Sequence, residues 1–557
     1  MRAESWATWT RARRCLGTAL LLAAAGCATR VEPHSHEIHP RPNIILFLVD
    51  DMGWQDTSVP FAKRPTPWNH LYRTPHMEDL ARRGMKFTQA YAAHPVCSPT
   101  RTSMMTGQNP GRTHIDDWVG HGQSANQFVR SPEWAASGLQ PGDGQAKLPA
   151  ILRRHGYRTI HVGKAHFGGK NTPGADPTKL GFDINIAGSH SGSPRGGWIS
   201  PWIGKYHDLY PNLDDRPRGE YLTAAITAKA LEVLDRAIQD RVPFFLNMSQ
   251  FAVHARIAPA PAFIASYQDG RPEVEADYAS MLAAMDASLG AILAKLRDPD
   301  GDGDPSDTIA ENTLVVFLSD NGGLSNHSRS NRGRVTLADG TVVNLRRDWH
   351  NRPLRSGKGS AYEGGIRVPM IVAWAGQETG HQPLHAWLPI QPGSTCSEPV
   401  HMDDFFPSVL AATGIDNPLP EAKRDGQSLL PLLAGQSFHR KKNLYWHYPH
   451  QWYRKVGVGL GIEPFSALRC GNYKLIYFYG DGVADGKGYD PRTELYDLSE
   501  DLSESINLAK SRPALTARLC GQLVRWLRGA GAGIPIVKST GKAAALPASP
   551  SVVPAQK

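Results

Sequence analysis

The most reactive prospect in the chain is Cys97, in the run Val96-Cys97-Ser98-Pro99-Thr100-Arg101-Thr102-Ser103-Met104-Met105-Thr106-Gly107. Ser98 suits an N-cap, Pro99 the first helical position and Gly107 the stop. Cys97 is then expected at a helix N-terminus, where free amides and the dipole favour an anion. Arg101 follows one turn on, along the same face. A cysteine so placed is either a low-pKa nucleophile or a small buried hydrophobe, and these residues alone leave both readings open.

Four other polar clusters each follow an apolar run. Asp50-Asp51 follow Asn43–Val49, Gly163-Lys164-Ala165-His166 follow Thr159–Val162, His254 lies one loop after Phe244–Met248, and Asp320-Asn321-Gly322-Gly323 follow Thr313–Leu318. Singly, each is an ordinary turn, cap or surface residue. In an open parallel sheet, however, ligands bind beyond the carboxyl ends of the strands, so all four clusters are expected on one edge. Asp50, Asp51, Asp320 and Asn321 offer oxygen ligands only, which suits Ca²⁺ or Mg²⁺. No close histidine pair adjoins them as a zinc site requires.

Cys97-Ser98-Pro99-Thr100-Arg101 with Thr106-Gly107 resembles the signature of type I, formylglycine-dependent sulfatases of the alkaline phosphatase superfamily. Asp50-Asp51-Met52-Gly53, Gly163-Lys164-Ala165-His166, Ser319-Asp320-Asn321-Gly322-Gly323 and Gly357-Lys358-Gly359-Ser360-Ala361-Tyr362-Glu363-Gly364-Gly365 extend the resemblance in the family's order. Glu494-Leu495-Tyr496-Asp497-Leu498-Ser499 closes it; Ala165, where the family has Trp, is the departure. The resemblance implies sulfate-ester hydrolysis, with Cys97 oxidised to formylglycine by a separate maturation enzyme and serving as nucleophile. It implies a divalent metal, Ca²⁺ ahead of Mg²⁺, held by Asp50, Asp51, Asp320, Asn321 and the residue at 97. It gives Arg101 the task of holding that residue, and Lys164 and Lys358 that of neutralising sulfate oxygens. His254 would serve the leaving oxygen and His166 the release step, two roles open to exchange. The implied substrate is a sulfated small molecule or carbohydrate. Two alternatives stand beside it: a phosphonate monoester or phosphodiester hydrolase of the same superfamily, and a surface-anchored binding protein with Cys97 unconverted.

The elements that must position these residues follow from hydrophobic pattern. Asn43–Val49, Thr159–Val162, Phe244–Met248, Thr313–Leu318 and Pro369–Trp374 are continuous apolar runs, as strands covered on both faces require. Residues 221–240 and 277–296 carry apolar residues at helical spacing. Strand alternating with helix predicts an α/β fold: a large mixed, mostly parallel sheet flanked by helices, over a catalytic domain at 41–415. Asn417-Pro418-Leu419-Pro420 marks a linker. Leu444–Tyr448 and Lys474–Tyr479 then predict a smaller C-terminal domain, 416–535, built on an antiparallel sheet with one solvated face and a closing helix over 515–527. Residues 536–557, rich in Ala, Pro, Ser and Lys, are expected to be a disordered tail.

At the other end, Arg11, Arg13 and Arg14 precede a short apolar core ending in Ala23-Ala24-Ala25-Gly26-Cys27. Residues 1–27 thus read as an export signal of lipoprotein type, with lipidation at Cys27 weighed against plain cleavage, and 28–40 as a tether. The protein is expected in a bacterial periplasm, on the outer membrane as a lipoprotein with attachment by its N-terminal lipid, or secreted. The net charge of +9 suits anionic partners, but no basic block interleaved with aromatics marks a nucleic-acid groove. Six cysteines include no Cys-x-x-Cys pair. Asp298 to Asp304 imitates a Ca²⁺ loop, but Ile309 stands where the EF-hand pattern needs Glu, so a solvated turn is expected. Arg346–His350, His114, His121 and His190 are read as surface or packing residues as readily as substrate contacts.

Overall fold

The computed structural model describes residues 41–120, 129–142, 147–269, 273–325, 334–336, 342–344, 350–376, 383–450, 460–480 and 491–547. The expected export signal, the tether, Cys27, His121, Arg346–Trp349 and the end of the tail lie outside the described residues.

The main sheet contains β1 (Asn43–Val49), β2 (Met85–Tyr91), β3 (Arg158–Gly163), β4 (Ile184–Ile186), β5 (Phe244–Ser249), β6 (Thr313–Ser319), β7 (Arg367–Trp374) and β8 (Ser394–Cys396). Their spatial order is β8-β2-β7-β6-β1-β5-β3-β4, with Val400–His401 also pairing with β2. β1 is central and parallel to both neighbours, Leu46 facing Val316 of β6 and Asn247 of β5. β7 runs antiparallel to β6 and β2, a direction its continuous apolar run did not reveal.

The absence of alternation in β1 has a direct cause. Ile45, Phe47 and Val49 enter one core, and Ile44, Leu46 and Leu48 the other. Each fully buried side chain of this kind contributes about 1.5–3 kcal/mol. Phe47 stacks on Phe317 at 5.6 Å, so Phe47→Ala should cost about 3–5 kcal/mol. The first core is closed by helices Leu222–Gln239 and Glu273–Arg297. The second of these is apolar enough to cross a membrane by composition, but 78% of its apolar window is buried inside the fold, so it serves as a core helix.

The second sheet is four-stranded and antiparallel: β9 (Leu444–Tyr448), β10 (Phe465–Cys470), β11 (Tyr473–Phe478) and β12 (Arg492–Asp497). The expected solvated face is absent. Trp446, Phe465, Ile476 and Phe478 pack on Ala361, Tyr362 and Ile366, while Leu468, Leu475 and Leu495 pack on Leu519, Leu523 and Leu527 of helix Pro513–Ala530. Both faces are therefore apolar, one against the catalytic-domain loop and one against the closing helix.

Leu419, Leu429 and Leu433 belong to the second core of the main sheet, with Phe438 packed beside them, so the segment after residue 415 still packs on the first sheet before the second begins. The tail expected to be disordered is ordered as far as residue 547. Ile536–Val537 pairs with Val129–Arg130, the Tyr477 hydroxyl donates to the Ala545 carbonyl at 2.8 Å, and Ala544 is buried. A small-residue segment can be tethered by backbone bonds that its composition does not advertise.

Candidate active site

β1, β3, β5 and β6 are mutually parallel, so their carboxyl ends share one edge, where the four expected clusters meet. Helix Cys97–Thr106 enters from the same side. It begins two residues earlier than Ser98 and Pro99 suggest: Val96 is the N-cap and Cys97 the first helical residue. The Ser98 hydroxyl is used elsewhere, accepting from Val119 N–H at 3.1 Å. Gly107 ends the helix as expected, at φ +66°.

Asp50, Asp51, Arg101, Lys164, Asp320 and Asn321 are at most 1% exposed, and Cys97, His166 and Lys358 at most 4%. Arg101 organises the centre. Its Nε donates to Asp320 Oδ2 at 2.7 Å, and its Nη1 to the Lys164 carbonyl and Ser249 Oγ at 2.7 and 2.6 Å. Lys164 Nζ grips both oxygens of Asp50 at 2.8 and 2.7 Å. Lys358 Nζ lies 2.5 Å from Asp51 Oδ1 and 3.7 Å from Cys97 Sγ. Asn321 Nδ2 donates to Asp51 Oδ1 at 2.9 Å. His254 Nε2 stands 3.7 Å from Asp51 Oδ2, and its side chain alone in the group is 17% exposed. His166 is fixed by Nε2 against the Val119 carbonyl at 3.2 Å. All ten expected site residues converge.

Two of them sit in left-handed backbone, Asp51 at φ +63° and His166 at φ +54°. Such conformations cost non-glycine residues energy and persist where surroundings over-determine them. Gly192 permits the close approach of its loop to His166, since a Cβ there would come within 2.3 Å of the ring. Sequence reasoning missed Ser249 and Asn351. Ser249 is the polar last residue of a buried strand, a signal available in the pattern. Asn351 bridges the Gly323 and Ser356 carbonyls at 3.1 and 2.9 Å, holding the Lys358 loop against the Asp320 loop.

The electrostatics follow from crowding. Burial, then the neighbouring Asp320 and Asp51 charges, push the Asp50 carboxyl well above the usual range in spite of Lys164. Burial acts likewise on Asp51, but Lys358 and His254 outweigh it and hold that group below its ordinary value. Burial would raise the Cys97 thiol, yet the ammonium groups of Lys164 and Lys358 bring it down to about 6. Burial, with Lys164 and Arg101, drives His166 well below the usual imidazole range, and burial with Lys358 lowers His254.

Ligand atoms of Asp50, Asp51, Cys97 and His254 lie within 4.8 Å of one another. Asp51 Oδ2 and Asn321 Oδ1 are buried acceptors with no hydrogen-bond partner, an arrangement that is costly unless a cation takes them up. The oxygen-rich donor set thus fits a hard divalent ion.

The sulfatase family model matches residues 42–415, all of this sheet and every site residue named above. The chain belongs to the sulfatase family. A second family model, for the C-terminal part of N-sulphoglucosamine sulphohydrolase, matches residues 357–527. This sulfatase is 29% identical to a sulfatase of Formosa agariphila over 552 residues, covering 88% of this chain and 89% of that one. It is 31% identical to the N-acetylgalactosamine-6-sulfatase of Sus scrofa over 432 residues, covering 76% and 70%. Among solved structures, Ps i-CgsB superposes with a TM-score of 0.64 at 25% identity, over 88% of this chain and 93% of that one. The sulfatase therefore hydrolyses sulfate esters on a mixed, mostly parallel sheet of the alkaline phosphatase type.

Proposed function

We propose that this sulfatase acts on a sulfated carbohydrate, with a formylglycine formed from Cys97 by a maturation enzyme and a divalent metal, calcium ahead of magnesium. The observation that carries the reading is the seat of Cys97: the first residue of its helix, 3.7 Å from Lys358 Nζ and grouped with Asp50 and Asp51. Asp50, Asp51, Asp320 and Asn321 would hold the metal, together with the residue at 97. When present, formylglycine supplies a hydrated aldehyde as nucleophile with a second hydroxyl for product release, and the metal supplies charge neutralisation.

The rest of the work falls to the chain's own side chains. Lys164 and Lys358 offset the charge that shifts onto the sulfate oxygens, from fixed positions in a water-poor pocket. Arg101 fixes Asp320 and, through the Lys164 carbonyl, the lysine loop. His254, partly exposed at the mouth, donates a proton to the leaving oxygen. His166, neutral and buried, accepts the proton given up on release. The carbohydrate substrate is supported by the N-acetylgalactosamine-6-sulfatase relative. A solved structure of similar fold also carries k-i-k-neocarrahexaose.

The matured enzyme should turn over an aryl sulfate much faster than an aryl phosphodiester, and Cys97→Ala should abolish turnover while circular dichroism stays unchanged. Retained activity in that variant, or faster phosphodiester turnover, would overturn the reading. Peptide mass spectrometry across residue 97 should show the mass loss of thiol-to-aldehyde conversion in a host with the maturation enzyme. The reading includes export, with lipidation at Cys27.

A further inference from the structure

A cavity of about 1520 Å³ adjoins the segments that carry Asp51 and Lys358. It exceeds the roughly 300–1,000 Å³ of a small-molecule pocket. None of the ten active-site residues lines it. Trp54, three residues after Asp51, and 352–356, just before Lys358, form part of its wall.

Its chemistry is one-sided. Seven Lys or Arg side chains line it against a single carboxylate, Glu500. Lys63 and Arg64 are exposed, and neither has a hydrogen-bond or ion-pair partner among the described residues. Lys86 Nζ donates to the Pro60 carbonyl at 2.5 Å, whereas Arg469, 4% exposed, donates to the Tyr91 hydroxyl and Gln89 and helps hold the Glu363 carboxyl low. Arg367, over the Trp54 ring at 4.4 Å, does pair with Glu363 at 3.1 Å. Trp54, Phe61 and Trp68 back the wall from the core, each at most 3% exposed, and threonine and serine hydroxyls add neutral hydrogen-bonding groups.

Concentrated positive charge in a cleft attracts anions. The planar, weakly hydrated guanidinium of arginine gives paired N–H donors to the oxygens of an oxyanion, and the serine and threonine hydroxyls suit the hydroxyl groups of sugars. Size argues for several linked units rather than one free ion. We propose that this cavity is a second binding site, distinct from the active site, that takes a sulfated oligosaccharide. It rests on the reading of the substrate as a sulfated carbohydrate, and it would hold a stretch of the polymer remote from the ester being cleaved.

The test is calorimetric titration of the full Cys97→Ala chain with octasaccharides of chondroitin sulfate and of a sulfated galactan. The same chain carrying Lys63→Ala and Arg64→Ala is titrated in parallel. The double substitution should weaken binding of at least one octasaccharide about tenfold at low salt. In the matured enzyme it should leave kcat and KM for an aryl sulfate unchanged while raising KM for the polymer. Lys63→Glu with Arg64→Glu should weaken binding further. The proposal is overturned if neither octasaccharide binds, if the double substitution leaves affinity unchanged, or if the desulfated octasaccharide binds equally well. Equal competition by a DNA oligonucleotide of matched charge would also overturn it, by marking a generic polyanion surface. Aryl sulfate turnover by the unsubstituted enzyme reports separately on the functional reading.

Discussion

Replacing Lys164 by Met should move metal affinity and turnover in opposite directions. Lys164 Nζ lies 2.8 and 2.7 Å from the two oxygens of Asp50, and both side chains are fully buried. Removing one partner of such a pair leaves an uncompensated buried group, at a cost of about 3–5 kcal/mol. For a chain of this size, with about 2 cal/mol/K of unfolding entropy per residue, that is only a few degrees in Tm without metal. Calcium should then recover most of the loss, because the freed Asp50 carboxylate gains a cation again. The ion also loses a like-charged neighbour. At an effective dielectric constant of about 20, a unit charge some 4–5 Å away is worth a few kcal/mol, so calcium affinity should rise at least about tenfold. Turnover should nevertheless fall by about 10²–10³, as when one preorganised charge facing the transition state is removed. Titration calorimetry with calcium, thermal unfolding with and without EDTA, and aryl sulfate kinetics measure the three quantities. A variant that lost calcium affinity together with activity would refute both the placing of Asp50 as a ligand and the reasoning from charge balance.

Other outcomes follow from buried charges farther out. His450 is enclosed by Asp116 at 2.8 Å, Asp117 at 3.8 Å and Ser131 at 2.7 Å. Burial would lower its pKa, but Asp117 and Asp116 prevail and raise it above 6.5. Its contribution to stability is therefore complete below about pH 6.5 and lost as pH rises through the folded-state value. The stability gap between wild type and His450→Gln, by urea unfolding, should be wider at pH 6 than at pH 9; a gap that widened upward would reverse the sign. Lys474→Met should destabilise by about 3–5 kcal/mol, since Lys474 lies 3.0 Å from Glu363 and 2.8 Å from Glu504 in a fully buried triad; kcat should fall with calcium affinity unchanged. Cells making the full chain should incorporate labelled palmitate into the protein, and Cys27→Ser should lose the label.

Much of the fold was legible because the relevant physics is local or periodic. A continuous apolar run such as Ile44–Val49 states that both faces are covered, and they are. It is silent on direction, so the reversal at β7 required the pairing itself. The second sheet looked half-solvated because aromatic residues such as Tyr445, Tyr477 and Tyr479 read as amphipathic, whereas Tyr445 stacks on Trp526 at 4.6 Å and covers the helix. The site was legible through motifs whose residues carry charge. Ser249 and Asn351 escaped because each acts on a partner distant in sequence: Ser249 on Arg101, 148 positions away, and Asn351 on Gly323. A lone polar residue carries no periodicity from which such a partner can be inferred.

The two sheets share more than a surface. Lys358 must face Cys97 from a glycine-rich loop, and such loops have little intrinsic rigidity. The loop is held in front by Asn351 and by Gly359 N–H to the Pro95 carbonyl at 2.8 Å. Behind, Glu363 accepts from Tyr91 at 2.7 Å and from Lys474 of β11 at 3.0 Å, and its own N–H donates to Glu504 at 2.6 Å. Arg355 covers the Tyr362 ring at 3.8 Å. These partners come from β2, from β11 and from the turn after β12, so the second sheet braces the segment that presents Lys358 to the first. A buried ionic network is weak evidence of stability in itself, since well-packed apolar residues often do as well. Its use here is positional: hydrogen-bonded carboxylates define one geometry for a loop that glycine would otherwise leave free, and the ammonium of Lys358, 2.5 Å from Asp51, inherits that geometry.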